Sequence, residues 1–175
     1  KKNKKILDKA RRIRWFGIDR IKKQGGTWEN DIKEIGYKYQ LTDLGACLLL
    51  DSLNEFKKIL NHRKKIFQIY KKELDSYKGI KVLDVKKNKL TNSYWLCTLI
   101  HKDRINLQRK LRKYNIETNQ VHFRNDRYSI FKKFVKGKKF PNMDKLEDSY
   151  FVLPLNFKIS VYDAKFICKT LKNLL

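Results

Sequence analysis

The chain has 175 residues, 41% of them hydrophobic and including ten Phe, nine Tyr and three Trp, which excludes a disordered tail and fits one domain with a sizeable core. Lys and Arg total 43 against 18 Asp and Glu, a formal charge of +25, but the lysines are spread along the whole chain among Asn and Ile. That spread reads as composition bias over an ordinary fold, not as a nucleic-acid interface, and with no apolar run of about 18 residues and no recognisable signal peptide the expected setting is cytoplasmic.

Ile6, Leu7, Ala10 and Ile13 recur at helical spacing, so residues 4–16 are expected to form a helix with a basic outer face, stopped at Gly17. Gly25-Gly26-Thr27 opens a loop, with Trp28 as its anchor. Thr42 or Asp43 caps the next element, one very long helix or two consecutive ones over 43–75. Its apolar positions are Leu44, Cys47, Leu48, Leu50, Leu53, Phe56, Ile59 and Leu60, then Ile66, Phe67, Tyr70 and Leu74, with a candidate break at Asn61-His62. His62 is expected on the exposed face.

Tyr77-Lys78-Gly79 reads as a turn, 80–85 as a short strand and 93–100 as a stronger one. Asp103 is expected to cap a helix reaching about Tyr114, and 118–123 to form a strand. From Arg124 to Asp148 the pattern fades into a long loop punctuated by Asn125-Asp126, Gly137 and Pro141. Ser149–Leu155 is a strand stopped by Pro154. Ser160 and Asp163 form a capping box for a last helix carrying Val161, Ala164, Ile167, Cys168, Leu171 and Leu174. Cys47, Cys97 and Cys168 lie far apart in apolar runs and are expected to be buried free thiols. No His or Cys cluster has metal-ligand spacing. The element order implies a small two-layer α/β domain over residues 41–175, with residues 1–40 less self-sufficient.

Several segments in order carry a family likeness. They are Ile13-Arg14-Trp15-Phe16-Gly17-Ile18, then Trp28 with Asp31-Ile32 and Glu34-Ile35-Gly36-Tyr37, then Lys38-Tyr39-Gln40-Leu41-Thr42-Asp43. Ala46, Leu50 and Leu53 come next, then His62-Arg63 with Ile66 and Tyr70, then Val121-His122-Phe123-Arg124-Asn125-Asp126. Phe140-Pro141-Asn142 and Val152-Leu153-Pro154-Leu155 complete the set. Together they resemble the C-terminal part of the DegT/DnrJ/EryC1/StrS aminotransferases, pyridoxal-phosphate-dependent enzymes acting on nucleotide-linked keto-sugars.

The resemblance implies the small C-terminal α/β domain of fold type I over residues 41–175, with 1–40 a remnant of the large domain and its linking loops. It implies amino transfer from an amino acid such as glutamate to a nucleotide-linked keto-sugar, in a homodimer, with products entering a surface polysaccharide or another glycan. The cofactor lysine would lie upstream of residue 1. This chain alone is therefore expected to be inactive and to hold no catalytic residue, pyridoxal 5'-phosphate binding only in the complete enzyme. An N-terminal-domain polypeptide is the expected partner. The resemblance makes Lys38 a contact to the cofactor phosphate of the partner subunit, where the family has asparagine, while Gln40 stands where arginine is commoner. It makes His122, Arg124 and Asn125 the substrate-binding set: Arg124 for a diphosphate or carboxylate, His122 and Asn125 for sugar hydroxyls. Against this stand a plain strand end at His122 and a plain turn at Asn125-Asp126. The alternative functions are a non-catalytic sugar-nucleotide or protein interaction domain, a gene remnant, or a basic nucleic-acid binder.

Overall fold

The computed structural model of the protein describes residues 3–19, 32, 34–85 and 92–175. The Gly25-Gly26-Thr27 loop, Trp28 and Asp31 lie outside the described residues. The chain divides into two units, Lys1–Asn54 and Glu55–Leu175.

In the first unit Asn3 caps helix α1, Lys4–Ile13, its side chain accepting the Ile6 N–H. The helix ends short of the expected residue 16 because the next backbone is claimed by another segment. Ile13 and Arg14 carbonyls accept the N–H groups of Tyr37 and Tyr39, and the Phe16 N–H donates to the Tyr37 carbonyl, so Trp15 faces Lys38 across an antiparallel bridge. The two backbones touch at glycines. A Cβ on Gly36 would lie 1.9 Å from the Gly17 nitrogen, and one on Gly17, whose φ is +76°, would lie 2.2 Å from the Glu34 carbonyl oxygen. Ile6 and Leu7, expected to face inward, are 66% and 43% exposed.

Thr42 begins the next element: its hydroxyl accepts the Gly45 N–H at 3.1 Å and its carbonyl the Ala46 N–H, so Thr42 is the cap and Asp43 the first helical residue. Helix α2, Asp43–Leu74, then runs unbroken for 32 residues. Asn61-His62 does not interrupt it. His62 is half-buried rather than exposed, its ring Nε2 lying 2.9 Å from the Ile159 carbonyl.

The second unit holds the core. Ile66, Phe67, Tyr70 and Leu74 recur on one face of α2 and are fully buried. They pack against a sheet of β1, Lys81–Val82, β2, Cys97–Ile100, and β3, Tyr150–Leu153, in the order β1-β2-β3 with both pairings antiparallel. Register places Leu99 opposite Phe151 and Cys97 opposite Leu153, so these four buried side chains share one face. Leu107 and Leu111 of α3, Arg104–Arg112, join the same core. The Tyr70 hydroxyl donates to the Pro154 carbonyl at 2.9 Å, tying the long helix to the exit of β3.

Several expectations are corrected. The Asp103 side chain does not cap α3; its carboxylate accepts from the Asn106 amide, and the backbone carbonyl takes the Leu107 N–H. The expected strand over 93–100 begins only at Cys97, after Tyr94 takes a left-handed φ of 49°. That over 118–123 reduces to one bridge, Asn119 to Val152. The stretch 124–148 is not a loop throughout. It contains single turns of tighter helix at Asn125–Arg127 and Ser129–Phe131, then α4, Lys132–Val135, and α5, Pro141–Glu147, with proline in the first turn. Cys47 is exposed, unlike Cys97 and Cys168, where burial pushes both thiols up, Cys168 to about 12. The capping box forms as expected: Ser160 and Asp163 bond reciprocally ahead of α6, Val161–Leu174.

Candidate functional site

The segment leading to His122 is laid along the edge of β3. The Val152 N–H donates to the Asn119 carbonyl at 2.9 Å, the Gln120 amide to the Glu147 carbonyl at 2.6 Å, and the Tyr150 hydroxyl to the His122 carbonyl at 2.6 Å. These bonds hold the His122 backbone and leave its imidazole exposed, with the ring 6.2 Å from that of Trp95. Asn125 then opens a turn, its carbonyl accepting the Tyr128 N–H, and its side chain is exposed.

Arg124 lies between them with only 5% of its surface exposed. Nε and Nη2 fork onto the two oxygens of Asp126 at 3.0 and 2.7 Å, while Nη1 reaches Asp144 at 2.6 Å and Glu147 at 2.9 Å. Four of the five guanidinium N–H groups are thus engaged within the chain. The bonds to Asp126, then Asp144, raise the Arg124 pKa, and Arg124 in turn holds the Asp126 carboxyl below its usual range. Arg127 bonds Glu147 from outside at 2.8 Å and is the main reason that Glu147 is also depressed. Arg124 therefore clamps the turn to α5 instead of presenting a free cation.

A cavity of about 730 Å³ opens beside this turn, lined by His122, Arg124 and Asn125 together with Tyr128, Met143 and Tyr150. The three residues singled out in the sequence thus meet at one cavity, two as exposed side chains and one as its frame. Sequence reasoning missed the frame's other half. Asp144 and Glu147 stand one helical turn apart on α5, behind Pro141, a spacing that could have marked them as joint partners for a cation.

Lys38 stands in the first unit. Tyr37 and Tyr39 stack at 5.0 Å, and alternation along the bridge places Lys38 on the other side of the backbone, exposed. Among the described residues no group of three or more His, Cys, Asp or Glu side chains could hold a metal ion, and no helix is long and apolar enough to cross a membrane.

Residues 1–172 match the DegT/DnrJ/EryC1/StrS aminotransferase family. The chain belongs to that family. It is 25% identical over 177 residues to a UDP-4-amino-4,6-dideoxy-N-acetyl-β-L-altrosamine transaminase of Campylobacter jejuni, covering 99% of this chain and 46% of the relative. To an uncharacterised protein of Methanocaldococcus jannaschii it is 28% identical over 184 residues, covering 98% and 47%. The chain spans about half the length of these curated relatives. Its fold is similar to that of the sugar aminotransferase CalS13 from Micromonospora echinospora, with a TM-score of 0.88, 24% identity, and coverage of 98% of this chain and 45% of that one. It is also similar to the PLP form of the putative sugar aminotransferase Spr1654 from Streptococcus pneumoniae, with a TM-score of 0.83, 22% identity, and coverage of 99% and 45%. The small sheet here is part of that larger fold.

For a DegT-family chain the cofactor in question is pyridoxal phosphate. The Lys38 ammonium is exposed and has no ion-pair partner among the described residues. A flexible point charge suits a phosphate oxygen.

Proposed function

We propose that these 175 residues supply the C-terminal domain of a sugar aminotransferase, which moves an amino group from an amino acid such as glutamate to a nucleotide-linked keto-sugar. The observation carrying this reading is the match across nearly the whole chain to about 45% of a sugar aminotransferase's length. Residues 1–40 would be the tail of a large domain and its linking loops, and 41–175 the small domain, in a homodimer.

Pyridoxal phosphate, when bound, supplies the electron sink for amino transfer. This chain contributes binding and orientation. Lys38 contributes charge to the phosphate. His122 and Asn125 offer hydrogen bonds to sugar hydroxyls at the mouth of their cavity, from a turn that Arg124 holds rigid. A site preorganised in this way spends less binding energy on ordering the loop. The lysine that takes the cofactor is assigned to the N-terminal domain.

The test is visible absorbance of pyridoxal phosphate with this polypeptide alone, and mixed with an N-terminal polypeptide carrying that lysine. A protein-bound cofactor band that responds to glutamate only in the mixture is expected. No glutamate-responsive band in the mixture, with both polypeptides folded, overturns the reading and leaves a non-catalytic interaction domain.

A further inference from the structure

Arg63, on α2, contrasts with Arg124 in how the fold treats its charge. Its Nε is buried and makes no hydrogen bond, and the guanidinium has no ion pair among the described residues. Elsewhere the fold supplies acids to such groups, Glu34 to Arg12 and three carboxylates to Arg124; Arg104, whose Nε is likewise buried without a hydrogen bond, still has Gln108 and Asp148 at its other nitrogens. An arginine kept for packing at a half-buried position would be expected to receive the same treatment, because a buried donor left unmade costs stability.

Arg63 lines a cavity of about 310 Å³ with Trp95, Glu117, Asn119 and Asn156. Trp95 is 57% exposed, a large apolar ring presented to solvent. The cavity shares no lining residue with the one at Asn125. Its side chains form a complementary set. A guanidinium without a partner takes an anion, an exposed indole takes the flat face of a ring, and two amides with a carboxylate take hydroxyls. Its volume lies at the small end of ligand pockets, enough for one charged ring and too small for a whole sugar nucleotide.

We propose that this cavity is a second binding subsite, for a ring that carries a phosphate or a carboxylate, with Arg63 receiving the anion and Trp95 the ring. The subsite stands on its own geometry and does not depend on transamination.

Two probes separate the anion sources: ribose 5-phosphate, a ring with a phosphate, and glucuronate, a ring with a carboxylate. Each is titrated into the chain while tryptophan fluorescence and the Arg63 Nε–H resonance are followed. At least one probe is expected to quench the fluorescence and shift the resonance. R63Q should weaken that binding by about tenfold or more, as loss of a charge-assisted bond does, and W95L should remove the quench and weaken binding. K139Q, which deletes the same charge from an exposed loop, should change affinity less than about twofold, separating the subsite from general attraction to a basic chain. No response to either probe up to about 10 mM, or R63Q binding as tightly as the parent chain, overturns the proposal. Should R63Q fail to fold, W95L decides alone, since it alters an exposed ring. Unchanged affinity there is equally fatal.

Discussion

A guanidinium that forks onto one carboxylate and bridges two others has four of its five N–H groups engaged within the chain. Arg124 joins residues 20 and 23 positions away, so its substitution should loosen the whole turn. Lysine cannot replace it, because one ammonium cannot match the fork on Asp126 and also reach α5. Both R124K and R124Q are expected to speed amide exchange at 123–128 and lower the melting temperature at pH 7. The pH dependence has a definite sign. Asp126 and Glu147 are held below their usual values in the folded chain, so their contribution is complete above about pH 4–5. It is lost as pH falls through the depressed folded values. The melting difference between R124Q and the parent should therefore be full at neutral pH and shrink in acid. A difference that persists undiminished at pH 2 would show that the carboxylates are not its source. Asp126 lies only two residues away, but nothing in the local sequence shows the reach to Asp144 and Glu147, which sit on another element.

At the scale of elements, legibility tracks local chemistry. The capping box at Ser160 and Asp163, the Thr42 cap and the periodic face of α2 all depend on side chains within a few residues, and each is readable in the sequence. The expectations that fail depend on distant backbone. α1 stops early because Tyr37 and Tyr39 take its final carbonyls, and 118–123 fails as a strand because only Asn119 finds a partner on β3. Within 124–148 the helices are too short to show a period: α4 has four residues and α5 seven. Both site cavities depend on such distant placement, which is why nothing in the sequence marks Trp95 and Arg63 as a pair. The local rule carries a quantitative expectation for α6. S160A removes the acceptor for the Asp163 N–H and should cost about 1 kcal/mol. In a protein of this size that is a fall of about 2–4 °C in melting temperature. No measurable change would mean that α6 is held by packing of Ile167 and Leu171 alone.

The whole molecule is uneven in a way that helix α2 makes visible. Its second half buries Ile66, Phe67, Tyr70 and Leu74 completely, whereas Leu44, Leu48, Leu49, Leu50, Leu53 and Phe56 in its first half are each more than half exposed. These exposed residues do not form a stripe. Leu48, Leu49 and Leu50 are consecutive and point around the helix, a pattern belonging to helices enclosed on several sides. Under the proposed function, the enclosing protein is the rest of the aminotransferase, since the chain spans about half the length of its curated relatives. One helix should then answer two different assays. Phe67→Ala opens a cavity in the core and should cost about 3–5 kcal/mol, abolishing cooperative melting of the isolated chain or nearly so. Leu48→Gln and Leu53→Gln remove exposed apolar surface and should alter that melting by no more than about 0.5 kcal/mol. Co-purification with the N-terminal polypeptide should show the reverse preference: the Leu48→Gln, Leu53→Gln double variant folds and fails to assemble. If it assembles as well as the parent, the exposed half of α2 serves no such contact, and the split of the helix into a core half and an assembly half is wrong.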